Sequence, residues 1–65
     1  MMKISRDVVG SRIRLRYTND MYTNLKPGDE GIVTFVDDTG TMFVDWDSGS
    51  RLGINPEFGD RYEFV

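Results

Sequence analysis

Apolar and polar residues alternate along most of this chain with a period of two, the mark of half-buried β-strands. From Arg12 to Thr18 the odd positions Ile13, Leu15 and Tyr17 share one face, and Arg12, Arg14 and Arg16 share the other. Two further alternating runs, Glu30 to Asp37 and Thr41 to Asp47, flank a tight turn at Asp37–Gly40. A short run around Leu52 and Ile54 and a last one carrying Tyr62 and Phe64 complete the pattern. Five strands are predicted, over 12–18, 30–37, 41–47, 50–55 and 60–65, preceded by a lead-in over residues 1–10. Ile13, Leu15, Val44, Trp46, Leu52 and Ile54 are the expected buried set, with Tyr17, Tyr62 and Phe64 also facing inward.

The connections carry turn chemistry. Pro27 fixes φ near −65° and Gly28 accepts positive φ, as a type II turn requires. Asp37, Asp38, Thr39 and Gly40 suit a type I turn with Gly40 in a left-handed bulge. In that register Ile32, Thr34 and Val36 share a face with Met42, Val44 and Trp46, whereas a two-residue turn puts Val33 and Phe35 there instead. The pattern alone leaves both registers open, because a one-residue slip exchanges the faces of a strand. Residues 47–50 form another tight turn, and Pro56 to Gly59 break the chain as a single helical turn. A long first loop, tight later turns and a break before the last strand describe a single all-β domain, a five-stranded SH3-like barrel. The last strand is expected beside the first, with closure removing free edges.

Length limits what such a domain can do. Its 65 residues bury only about 60% of the surface that the unfolded chain exposes. A flat or grooved binding surface is expected rather than a deep catalytic cavity, and no small-molecule substrate. Cysteine and histidine are both absent, which removes disulfides, thiolate metal sites and the commonest general base near neutral pH. No apolar run approaches the roughly 18 residues of a membrane span, and residues 1–7 lack the apolar core of a secretory signal. A cytoplasmic setting and no membrane partner are expected.

The net charge of −3 conceals an asymmetry. Through Arg16 five basic residues stand against one acid, Asp7; from Tyr17 onward three basic residues face ten acids. A basic first strand lying beside acidic ones, Glu63 or Asp60 for example, explains this within the molecule. A two-signed surface that recognises a charged partner is the alternative. Arg12, Arg14 and Arg16 stand about 6.5–7 Å apart along one face, a spacing suited to successive phosphates or to carboxylates. The acids Asp37, Asp38, Asp45 and Asp47 lack the ligand ladder of a calcium loop and read as turn formers and solvated positions. No catalytic, metal or cofactor residue is assigned. Trp46 alternates with Val44 and reads as core. Tyr22, in the long first loop, and Phe43, opposite in face to Val44, are the candidate aromatic anchors.

The segments Gly10–Leu15, Leu25–Val33, Val36–Thr41 and Val44–Ser50 together resemble the short domains of unknown function found in phages, prophages and mobile elements. The likeness runs from about Gly10 to Tyr62 and is most specific through Val44, Asp45, Trp46, Asp47, Ser48 and Gly49. It implies a fold and a mobile-element setting, with no activity attached. More loosely, Pro27 to Val33 is similar to the opening of KOW-type modules of ribosomal and transcription proteins, some of which bind RNA. Trp46 to Ser50 is similar to a turn in SH3-like modules of some ubiquitin ligases, which bind proteins. The acidic, aromatic first-loop signature of peptide-binding SH3 domains is reduced here to Asp20, Met21 and Tyr22, which departs from proline-helix recognition. The function expected from these features is a non-enzymatic binding module of a phage or mobile element that engages a host protein and modulates a host machine. Arg12, Arg14, Arg16, Tyr22 and Phe43 are its partner-binding residues. A nucleic-acid-binding module that uses the arginine strand is the alternative, and a structural or assembly component of the phage a weaker one.

Overall fold

A computed structural model describes residues 6–19 and 24–65, and Tyr22 lies outside them. A 3₁₀ turn, Arg6–Val8, leads into β1 (Arg12–Tyr17), β2 (Glu30–Val36), β3 (Met42–Trp46), β4 (Gly53–Ile54), a second 3₁₀ turn (Pro56–Phe58) and β5 (Arg61–Phe64). All neighbouring strands are antiparallel, in the order β4-β3-β2-β1-β5. The fold is the predicted all-β one, and the order is that of an SH3-like barrel. The ladder stays open, however. β4 and β5 are its two edges, so the expected removal of free edges is not achieved.

The core gathers one face of β1 to β4, with partly buried Tyr62 of β5 packed against it. Ile13, Leu15, Val33, Val36, Met42, Val44, Trp46 and Ile54 are buried, joined by Leu25 from the first loop. Trp46 is 2% exposed, and its indole N–H donates to the Leu52 carbonyl at 2.9 Å, so its one polar atom is satisfied inside. Leu52 itself is only partly buried against this cluster, because β4 is shorter than predicted and Leu52 sits at its approach.

Two bulges decide which side chains reach the core. Val33 pairs with Val44, while Val36 pairs with Met42. Three steps along β2 therefore match two along β3, and strict alternation could not turn both valines inward. Thr34 is the extra residue, with its Oγ1 donating to the Phe43 carbonyl at 3.1 Å. The hairpin thus obeys one of the two anticipated registers near its turn and the other beyond the bulge. Phe35 leaves the core as a result and lies outside, paired with Phe43. In β1, Leu15 pairs with Tyr62 but Tyr17 with Arg61, which makes Arg16 the extra residue. Tyr17 is carried outward and is 52% exposed, against the inward position its alternation predicts. Phe64, also predicted inward, is exposed because β5 is an edge strand ending there; it keeps an edge-to-face contact with half-buried Tyr62 at 5.5 Å. Burial raises the Tyr62 phenol above its ordinary pKa.

Polar groups fix the loops. Asp37 Oδ1 accepts from the Thr39 amide at 2.9 Å, the Thr39 hydroxyl at 2.7 Å and the Thr41 amide at 3.0 Å, with Gly40 at φ 88° completing the turn. Those donors, the Thr39 hydroxyl foremost, hold the carboxyl below its ordinary pKa. Asp60, buried, does not join the arginine stripe. Its two oxygens accept the backbone amides of Asn19 and Asn55, each at 2.9 Å, tying the end of β1 to the second 3₁₀ turn. Asn55 in turn caps that helix through Glu57 and reaches back to Thr39 and Thr41.

Candidate functional site

The outer face of the sheet divides into two halves of different chemistry. On β5, β1 and β2 the arginine stripe meets carboxylates from both flanking strands and from Asp47, just past the end of β3. Arg12 pairs with Asp47 at 2.8 Å and more distantly with Glu30 at 3.6 Å. Arg14 lies between Glu30 at 3.2 Å and Glu63 at 2.8 Å, and Arg16 reaches Glu63 at 3.3 Å. The register places them so, since Arg14 is the direct cross-strand neighbour of both Glu30 and Glu63. Asp47, by hydrogen bond and charge, raises the already high pKa of Arg12; Glu30 and Glu63 do the same for Arg14. The sequence asymmetry thus resolves as intramolecular pairing, with three arginines matched to three acids.

The other half, on β2, β3 and β4, is aromatic and less occupied. Phe35 and Phe43 lie 54% and 39% exposed, their ring centroids 6.0 Å apart and tilted by 36°. Gly53 is the cross-strand neighbour of Phe43 on the other side, so β4 sets no side chain against the ring there, and Thr41 Cγ2 lies over the same glycine. A half-open surface depression of about 370 Å³ sits here, lined by Thr34, Phe43, Val44, Asp45 and Arg51. Among the described residues, neither Asp45 nor Arg51 makes an ion pair.

The predicted anchor Phe43 is therefore exposed on a face with an aromatic neighbour and a groove, and in the ladder one residue, Ile32, stands between Arg12 of the stripe and Asp45 of the groove. Phe35 and Arg51 were missed by sequence reasoning. Phe35 becomes visible only once the bulge at Thr34 is known, and Arg51 only once β4 is seen to bring it opposite β3. The four acids take different roles. Asp37 organises a turn, Asp38 is exposed in the same turn, Asp47 holds Arg12, and Asp45 faces the depression. No cluster of three or more metal-ligating side chains occurs among the described residues, and no helix among them is long and apolar enough to cross a membrane.

Residues 5–61 match the model of a family described as a domain of unknown function, DUF4314. The chain belongs to that family. The match spans both bulged strands, the arginine stripe and the groove, and stops short of Glu63 in β5. No curated protein and no solved structure matches the chain.

Proposed function

We propose that this DUF4314 domain is a non-enzymatic binding module that engages a protein partner through the β2–β3–β4 half of its outer face. The observation that carries the reading is the exposed Phe35–Phe43 pair beside a groove whose two charges, Asp45 and Arg51, are uncommitted. Interface energy concentrates in a few aromatic and arginine side chains, and both kinds converge here. In the mobile-element setting that the sequence resemblance implies, the partner is a host protein and the place of action is the host cytoplasm. The arginine stripe favours this reading over nucleic acid. A phosphate would have to displace Glu30 and Glu63 from Arg14 at 3.2 Å and 2.8 Å, on a chain of net charge −3.

The test is capture on the immobilised domain, followed by calorimetry with the captured protein purified. Phe43→Ala and Phe35→Ala should each weaken binding at least tenfold, about 1.4 kcal/mol, while the fold is kept. Arg14→Glu makes a poor surface probe, because it would set three carboxylates together at Glu30 and Glu63. Unchanged affinity in both phenylalanine variants refutes the choice of face. A salt-sensitive shift with labelled RNA or DNA would return the reading to the arginine strand.

A further inference from the structure

Asp45 and Arg51 stand across from each other in the antiparallel register, which pairs Phe43 with Gly53 and sets the Trp46 amide 3.2 Å from the Ser50 carbonyl. Both line the depression, together with Thr34 of β2 and Phe43 and Val44 of β3, and neither has an ionic partner among the described residues. Phe43 leans over the same groove: a Cβ built on Gly53 would lie 3.3 Å from its Cδ1. Resting on the reading of this face as protein-binding, we infer that it also takes a second copy of this chain, packed face to face about a two-fold axis along the groove that Phe43, Asp45 and Arg51 line.

A two-fold interface must complement itself, each contact being made twice. This surface does so, because its free charges are opposite in sign and flank the groove on either side. The axis carries Arg51 of one copy over Asp45 of the other, and the reverse, and lays the two Phe43 rings together above the glycines. A partner of single charge sign would satisfy one of these side chains and be opposed by the other. Two rings and two ion pairs cover much less than the roughly 800 Å² per partner of a standard interface. Association therefore falls at the weak end and shows itself at high concentration.

The experiment is sedimentation velocity on the wild-type chain from about 10 µM to 1 mM, with the fold of each variant checked by circular dichroism. The weight-average mass should climb toward that of a dimer. It should stay at the monomer for Phe43→Ala, for Asp45→Arg and for Arg51→Asp. An equimolar mixture of the two charge variants should associate again, since a doubly positive face then meets a doubly negative one. The double variant Asp45→Arg with Arg51→Asp should associate alone. A wild type that stays monomeric, single charge variants that still associate, or a mixture that does not, each overturns the inference. If the wild type is monomeric while a purified protein binds through Phe43, only self-association falls; if neither binds, the protein-binding reading falls with it.

Discussion

Replacing Gly31 by alanine adds one methyl group where β2 and β3 run close together. The new Cβ would stand 2.7 Å from the Asp45 carbonyl oxygen, 2.8 Å from Trp46 Cα and 2.8 Å from Val44 Cγ1. Carbon contacts settle at about 3.5–4.0 Å, so the strands must part locally by roughly 0.7 Å or more. Two of the three obstacles are backbone and cannot rotate away. Gly31 is also the direct cross-strand partner of Trp46, so the displacement falls on the largest side chain of the core. Overpacking of this kind costs about 1–3 kcal/mol. Alanine recovers about 0.4–1 kcal/mol by restricting the unfolded chain, and φ at Gly31 is not positive, so no dihedral penalty is added. A net loss of about 1–2 kcal/mol follows. At about 4–8 °C per kcal/mol for a domain of this size, Tm should fall by roughly 5–15 °C in a calorimetric or circular-dichroism melt. Gly49→Ala is the contrasting case, with open space around the glycine but φ at 94°, so its cost is conformational alone. Gly31→Ala melting at or above wild type would refute the steric reasoning.

Four further outcomes are expected. Trp46→Ala should lose about 3–5 kcal/mol, comparable to the entire stability of a domain this small; retained amide dispersion in an NMR spectrum would contradict this. Asp60→Asn sets an amide NH₂ against one of its two backbone N–H donors, the buried one of Asn55 or the part-buried one of Asn19, and should cost about 1–3 kcal/mol by urea titration, with a wild-type midpoint counting against it. Asp37 has a lowered pKa in the fold, so its stabilisation is complete above the unfolded carboxyl value and lost as pH falls toward the folded one; melts between about pH 2 and 5 should show a shallower acid decline for Asp37→Asn, and identical slopes would dismiss the turn linkage. Arg14→Ala, removing two ion pairs of a side chain about 40% exposed, should lower Tm only slightly, and less still at high salt; a large, salt-independent loss would mean that the stripe is structural in some other way.

Strand positions and most of the core were legible because alternation of period two survives wherever one face is buried. Ile13, Leu15, Val44, Trp46 and Ile54 follow from it directly. What alternation cannot show is an inserted residue. Thr34 and Arg16 each add one, and each shifts the side chains beyond it to the other face. Tyr17 was misplaced for that reason, and Phe35 was left undecided between two registers that both occur. Gly31 carried a readable signal, since a glycine inside a strand marks a close approach of backbone. Asp60 carried none. Its two amide partners are brought to it by the first loop and the second 3₁₀ turn, far from it along the chain or across a break in the pattern. The intramolecular fate of the arginine stripe could be anticipated from charge balance, but its partners depend on register. Glu63 was one of two suggested, while Glu30 and Asp47 emerge only from the ladder.

The two halves of the outer face differ for a topological reason. β2 and β5 flank β1 on either side of Arg14, where Glu30 and Glu63 stand directly opposite it, while Asp47, just past β3, holds Arg12 and Glu63 also reaches Arg16, so each guanidinium of the strand has a carboxylate. β4 is an edge of two residues. It brings Arg51 opposite Asp45 without ordering either one against the other, and it sets a glycine rather than a side chain beside Phe43. Ligand binding at the first half must break existing pairs, and the cost of stranding a carboxylate offsets much of what a new contact supplies. At the second half nothing has to be broken. The aromatic surface is already partly desolvated by its own neighbour, and the two charges have only water to lose. The arginines of β1 are thereby held where a partner can use them least, whereas Arg51 is not. The uncommitted guanidinium of Arg51, which lines the same depression as Phe43, is where a binding contribution from charge and one from apolar contact coincide.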